Sequence, residues 1–241
     1  MEAEITFYER CFSKYSPEIA VKRILEPACG TGILLEVLGS RGYHCEGYDL
    51  SERMVTYSNS RLKQKGLNKS AKAVIGDMRS KYFKKKFDAA IICINSLGYL
   101  TRNADITSHF KALARSLVPG GLYIVEIGCA CEEIKNEKRA DESWTVERGP
   151  IKLRLTWAPT RYDHQERIRH VDFYMEGRDH EQEIEVEESH DLRLWYYDEF
   201  VQLASQGGFK LVGIYNQDFK EIPMTQRITG ELGVLYFVLR S

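Results

Sequence analysis

One stretch limits what this chain can fold into: Ile24-Leu25-Glu26-Pro27-Ala28-Cys29-Gly30-Thr31-Gly32, with Asp49 nineteen positions beyond Gly30. Val21 to Leu25 reads as a buried strand, the small residues 28 to 32 as a tight turn, and Ile33 to Leu38 as the helix leaving it. A second run, Tyr43 to Tyr48, ends on Asp49. That offset is close to the separation of about 20 residues at which a strand–helix–strand unit delivers an acid to a ribose. Small side chains at Ala28, Cys29, Gly30 and Gly32 let backbone N–H groups approach a ligand, and a carboxylate at Asp49 can accept two hydroxyls. A parallel sheet with a nucleotide-type site at its edge is therefore expected.

A missing glycine selects the ligand. Dinucleotide sites use a third glycine to seat the helix close to the strand beside a pyrophosphate, and here Ile33 or Leu35 stands in that place. Glu26 would also repel a pyrophosphate, whereas it can pair with an ammonium group. An adenosine without phosphates satisfies both conditions, and S-adenosylmethionine is the common ligand of that kind. The competing reading is a glycine turn that only packs strand on helix; Asp49 argues against it.

Later segments supply what such a site needs. Ala71 to Ile75 runs into Gly76-Asp77-Met78-Arg79, so a third strand brings an acid to the same edge, where Asp77 can accept an adenine amino group. Leu50 and Met78 either hold the faces of the ring or belong to the core. Phe87 to Ile94 is a fourth strand, followed by Asn95-Ser96-Leu97-Gly98-Tyr99, which sets polar groups and an aromatic beside the reacting centre. Ile106 to Leu117 has helical spacing and stops before Pro119-Gly120-Gly121, and Leu122 to Ile127 is a fifth strand. Strands alternating with helices argue for a parallel sheet.

From about residue 131 to 190 the period changes to two. Ile151, Leu153, Leu155 and Trp157 alternate with Lys152, Arg154 and Thr156; Val171, Phe173 and Met175 repeat the pattern, then Ile184 and Val186 between glutamates. This is an antiparallel meander with one apolar face. Helical spacing returns over Asp198 to Ser205, and Phe209 to Tyr215 and Gly233 to Leu239 complete the sheet. The expected fold is α/β: a Rossmann-like, doubly wound, seven-stranded and mostly parallel sheet with an inserted β-meander. The whole of 1–241 then reads as one domain, with its core at about 20–130 and 191–241. A length of 241 residues, 43% of them hydrophobic and 29% charged, fits that reading.

The ordered matches E-P-A-C-G-T-G (26 to 32), G-Y-D-L-S-E-R-M (47 to 54), G-D-M-R (76 to 79), F-D-A-A-I-I-C-I-N-S-L-G-Y-L (87 to 100), L-V-P-G-G-L-Y-I-V-E (117 to 126) and Y-Y-D-E-F-V-Q-L-A-S-Q-G-G-F (196 to 209) resemble the class I S-adenosylmethionine-dependent methyltransferases. Small-molecule N-methyltransferases of aminosugars are the nearest in pattern. The resemblance implies that Glu26, Gly30 and Gly32 hold the methionine part of the cofactor, that Asp49 holds the ribose, and that Asp77 reads the adenine. Ala28, Cys29, Leu50, Met54, Met78 and Asn95 join them as cofactor contacts. It also implies a lid helix at about residues 3–16, with Tyr8 and Tyr15 over the cofactor, and an insert that shapes the acceptor pocket or a homodimer contact. Asn95-Ser96 departs from the paired serines usual in the aminosugar enzymes, which leaves the acceptor open.

The expected chemistry is in-line displacement by an acceptor nitrogen or oxygen, leaving S-adenosylhomocysteine. Positioning can supply roughly 7–11 kcal/mol of such a reaction, and a base adds about 10²- to 10⁴-fold. Tyr99, Glu126 and His170 are the candidates to handle a proton or hold an amine. His170 is chosen from the four histidines of the insert because it sits between Ile168 and Val171, where the chain can cross from face to face. No metal is expected: Cys129 and Cys131 form a pair with no second pair nearby. Six cysteines mostly inside strands and turns suit reduced thiols. An acidic amino terminus without a signal-type apolar run, and no run of the roughly 20 apolar residues a bilayer needs, point to a cytoplasmic protein without a membrane partner.

Two other readings remain. Lysines and arginines crowd the stretch from Arg53 to Lys86, whose acid is Asp77, and a nucleic-acid methyltransferase would use such a segment on phosphates. Lysines on a helix and a turn are more simply a solvated face, and no N-P-P-Y-like tetrapeptide follows the fourth strand. A protein that binds the cofactor without transferring methyl groups would keep the same binding residues.

Overall fold

The chain is described by a computed structural model covering residues 1–130, 141–225 and 233–241. Five strands, β1 (Arg23–Pro27), β2 (His44–Asp49), β3 (Ala71–Ile75), β4 (Phe87–Ile92) and β5 (Leu117–Ala130), run parallel in the order β3-β2-β1-β4-β5. A short strand β10 (Trp195–Tyr196) pairs with the end of β5; β12 (Val234–Arg240) then lies antiparallel between β5 and β11 (Lys210–Asn216). The order reverses between β1 and β4, which is where open α/β sheets bind ligands.

Both faces are covered, as near-continuous apolar strands such as Ala89-Ala90-Ile91-Ile92 require. Helices α1 (Glu2–Tyr15), α2 (Ile33–Ser40) and α3 (Glu52–Gln64) bury Phe7, Leu35 and Leu62 on one face. Helices α4 (Asn103–Ala114) and α5 (Tyr197–Gln206) bury Phe110 and Phe200 on the other. Ser51 caps α3 by accepting a hydrogen bond from the Met54 N–H at 3.4 Å, so the turn after Asp49 starts a helix at once.

Pro119-Gly120-Gly121 is not the turn before a strand that its composition suggests. Strand β5 already begins at Leu117, and these residues form an irregularity in its pairing with β4 between Phe87 and Ala89. Gly120 takes a φ of +80°, and its N–H donates to the Ser241 carbonyl at 2.9 Å, so the irregularity also holds the chain's last residue.

The period-two segment forms a second sheet, β6 (Glu142–Arg148), β7 (Ile151–Asp163), β8 (Ile168–Asp179) and β9 (Gln182–Arg193), in antiparallel order β6-β7-β8-β9. Register brings Leu155 opposite Trp144 and Met175, and Val186 opposite Met175, which makes the apolar face continuous across the four strands. Residues 131–140, where the insert was expected to start, and with them Cys131 of the cysteine pair, lie outside the described residues. Strand β9 packs on a one-turn 3-10 helix, Ser96–Tyr99, at the end of β4. No helix among the described residues is long and apolar enough to cross a membrane.

Candidate active site

The loop after β1 is built to leave backbone bare. Ala28, Gly30 and Gly32 have φ of 53°, 48° and 74°. A Cβ placed on Gly30 would meet nothing within 4 Å, so this glycine opens onto ligand space. Gly32 serves packing instead: a Cβ there would run into the buried Ser58 side chain of α3. Asp49 locks the loop, one carboxylate oxygen accepting from the Gly30 N–H and the other from the Ser51 N–H, both at 2.9 Å. Each oxygen keeps a lone pair for a hydroxyl.

Glu26 lies behind this loop, 6% exposed. It accepts a bond from the Leu35 backbone, yet its Oε2 has no partner. Burial first, then the nearby Asp49 charge, pushes its carboxyl well above the usual range. Buried carboxylates are normally paired, so an ammonium ion is what this position lacks. The orphan oxygen, the open Gly30 and the Asp49 lone pairs together fit the amino acid and ribose parts of S-adenosylmethionine.

A cavity of about 830 Å³ runs from this point, with Ala28, Asp49, Leu50, Ser51, Gly76, Asp77, Met78 and Arg79 at one end and Ser96, Tyr99, Leu100, Thr101, Arg102 and Asp105 at the other. Leu50 is 71% exposed, a high value for a leucine beside a cleft, while Met78 also touches the core. Asp77 is held by Arg79, whose Nε lies 2.9 Å from Oδ2, and this pairing keeps the carboxyl below its ordinary range. An adenine amino group would have to share that carboxylate with Arg79.

Most of the other expected contacts have protein partners. Tyr8 is buried on α1 with its hydroxyl 3.3 Å from the sulfur of Cys93, just after β4, a thiol that also feels the Glu26 charge. The Tyr15 hydroxyl meets Tyr215 at 2.9 Å and Glu221 at 3.2 Å, pinning α1 to β11 at the edge of the sheet. Cys29 is buried against Gly47, and Met54 sits exposed on α3 without lining the cavity. Asn95, at φ 54°, turns its Oδ1 to the Gly128 N–H at 3.0 Å, bracing β5 against the end of β4. Glu126 accepts from the Ile94 N–H at 3.0 Å and also does not line the cavity. His170 is fixed between Asp191 at 2.5 Å and Arg161 at 2.8 Å on the polar face of the insert.

His190 does not itself line the cavity but contacts Tyr99, which does. Its Nδ1 lies 3.3 Å from the Tyr99 hydroxyl, and its ring stacks on Trp157 at 5.5 Å and 18°. The signal was present in the period: residue 190 shares parity with Ile184 and Val186 on β9, whereas residue 170 is out of phase with Val171 and Phe173. Gly47 was also missed. A Cβ there would sit 2.6 Å from Cys29 Cβ and 2.8 Å from Leu35 Cδ1, so Gly47→Ala is expected to displace the loop and cost about 1–3 kcal/mol of stability, measurable by urea unfolding.

Residues 24–121 match the family model described as a methyltransferase domain. The dTDP-3-amino-3,4,6-trideoxy-alpha-D-glucopyranose N,N-dimethyltransferase of Streptomyces venezuelae is 34% identical over 103 residues, which is 43% of this chain and 41% of that protein. The chain thus spans less than half the length of this curated relative. A S-adenosylmethionine-dependent methyltransferase structure from Clostridium acetobutylicum ATCC 824 superposes with a TM-score of 0.80 at 17% identity, over 99% of this chain and 91% of the other. The amino pentose methyltransferase CalS10 of Micromonospora echinaspora, bound to S-adenosylmethionine, gives 0.73 at 20% identity, over 100% and 90%. Residues 24–121 therefore match a methyltransferase domain, and the whole chain shares the Rossmann-like fold of solved S-adenosylmethionine-dependent methyltransferases and resembles the aminosugar N-methyltransferases.

Proposed function

We propose that this chain transfers a methyl group from S-adenosylmethionine to a nitrogen or oxygen of a small molecule, with an aminosugar as the favoured acceptor. The observation that carries this reading is the single cavity joining Asp49, Leu50, Asp77 and Met78 at one end to Tyr99 beneath the inserted sheet at the other. When bound, the donor supplies a methyl group activated by its sulfonium charge. Glu26 takes the ammonium, Asp49 the ribose hydroxyls and Asp77 the adenine amino group, while Leu50 and Met78 flank the ring. Holding both reactants in line then supplies most of the acceleration, roughly 7–11 kcal/mol for well-oriented groups.

The test is methyl-labelled donor incubated with dTDP-3-amino-3,6-dideoxy-α-D-glucopyranose, with unmodified aminosugars and with an RNA mixture. Label is expected in an aminosugar. Label in RNA, or donor binding without transfer to any small molecule of a cell extract, would overturn the proposal. The far end of the insert supports a homodimer, since Trp144 and Val146 are 45% and 40% exposed on its apolar face. Sedimentation is expected to give a dimer that Trp144→Glu dissociates; a monomeric wild type would end that idea.

A further inference from the structure

Strand β9 of the inserted sheet packs on the one-turn helix that forms part of the cavity wall. His190 sits on the sheet's apolar face, opposite Val171 on β8, where an imidazole is out of place among Leu155, Trp157, Met175 and Val186. Its surroundings are specific. The Tyr99 ring meets it edge-on, with centroids 5.7 Å apart at 76°, and its Nε2 lies 3.8 Å from a Glu188 oxygen. Glu188 is 61% exposed at its side chain, so it faces water on one side and the imidazole on the other. Among the described residues, Glu188 on its own strand and Tyr99 on the one-turn helix are the titratable groups facing His190; β7 and β8 offer it Trp157 and Val171.

The strand that carries His190 is clamped to the cleft wall. Arg193, three residues on, donates from Nη1 to the Thr101 carbonyl at 2.8 Å and from Nη2 to Glu199 at 3.1 Å. Arg167 grips the same Glu199 at 2.8 and 3.0 Å. Thr101 and Tyr99 both line the cavity, so β9 and the acceptor end of the site form one rigid unit.

We propose that Tyr99, His190 and Glu188 form a relay that carries the acceptor's proton out of the cleft. Tyr99 and His190 share a hydrogen bond at 3.3 Å, and Glu188 stands 3.8 Å behind the imidazole as a charge partner. This rests on the methyl-transfer reading above. As the acceptor's lone pair forms the new bond to the methyl carbon, the carbon–sulfur bond breaks with its electron pair left on the departing thioether; the acceptor's N–H or O–H bond breaks in turn and the proton passes to Tyr99 Oη. The Tyr99 hydroxyl proton moves to His190 Nδ1, and the imidazole, already protonated on Nε2, becomes an imidazolium beside Glu188. That Nε2 proton then leaves to solvent water beside Glu188, whose carboxylate lies 3.8 Å away and favours the passing charge, and this removes the positive charge that arrived with the methyl group. His190 acts through Tyr99 and touches no substrate.

The experiment is an NMR titration of the protein carrying ¹⁵N-histidine and ¹³C-tyrosine, with and without S-adenosylmethionine. His190 is expected as the Nε2–H tautomer, and the Tyr99 Cζ resonance is expected to move as the imidazole takes its second proton. In His190→Gln that movement vanishes while calorimetric affinity for the donor remains as in the wild type. A proton resident on Nδ1, or a Tyr99 resonance indifferent to the imidazole, overturns the relay whatever the turnover. With dTDP-3-amino-3,6-dideoxy-α-D-glucopyranose as acceptor, His190→Gln is expected to lower kcat by about 10²-fold with KM little changed, and Glu188→Gln to lower it less. A loss confined to KM overturns the relay as well. Failure to bind donor or to methylate any acceptor counts instead against the methyl-transfer reading, because the NMR measurement needs no turnover.

Discussion

Asp49→Ala is expected to weaken binding of S-adenosylmethionine by about 10²-fold or more, read by calorimetry on folded protein. The carboxylate is proposed to accept two ribose hydroxyls, and hydrogen bonds to a charged group contribute about 1.5–3 kcal/mol each; losing some 3 kcal/mol is a factor of about 10². A second effect acts in the same direction. Asp49 also accepts the Gly30 and Ser51 N–H groups at 2.9 Å, so the alanine releases the loop whose bare backbone the donor must meet. Asp49→Asn separates the two contributions. An amide keeps one acceptor oxygen and should lose less than the alanine. Equal affinity in wild type and Asp49→Ala would remove the donor from this cleft and the functional proposal with it.

The elements that sequence alone made legible are those where one physical rule decides. Alternation of apolar runs with helical spacing gave the parallel strands, because a strand covered on both faces must be apolar throughout. Strict alternation in 151–157 and 171–175 gave both the meander and its apolar face. The placement of Asp49, Asp77 and Gly30 at the cleft was legible because the chain can reach the sheet edge at only a few points after each strand. Contacts between distant segments were not. Tyr15 finds Tyr215 across 200 residues of chain, and a tyrosine on an amphipathic helix carries no mark of which strand it will meet. Asn95 reads as a ligand contact, yet its left-handed backbone turns the side chain toward Gly128. Parity places His190 on the apolar face of the insert and His170 on the polar one, and the contact of His190 with Tyr99 depends on a helix 91 residues away. The Pro119-Gly120-Gly121 segment signals a turn by composition, and tertiary pairing on both sides turns it into an irregularity within a strand.

Acidification is expected to destabilise the chain through His109, by about 3 kcal/mol between neutral pH and pH near 4. His109 is fully buried on α4; its Nδ1–H donates to the Met78 carbonyl at 3.0 Å, and its Nε2 accepts from the Tyr123 hydroxyl at 2.8 Å. Both nitrogens are satisfied in the neutral ring, and burial pushes the imidazole down from 6.5 to about 4. The unfolded chain therefore binds a proton that the folded one refuses over this window. Stability from this residue is complete above pH 6.5 and drains as pH falls toward 4, a difference of about 2.5 units at 1.36 kcal/mol each. Glu26 works in the opposite sense, since its raised carboxyl favours the folded chain when protonated. The His109 share must be read as the difference between wild type and His109→Gln in urea unfolding at several pH values. That difference should shrink by about 3 kcal/mol from pH 7 to pH 4, and parallel curves would show that the imidazole takes its proton without unfolding. Because Met78 forms part of the proposed adenine wall, bound S-adenosylmethionine should hold this contact closed and shift the acid transition of the wild type to lower pH.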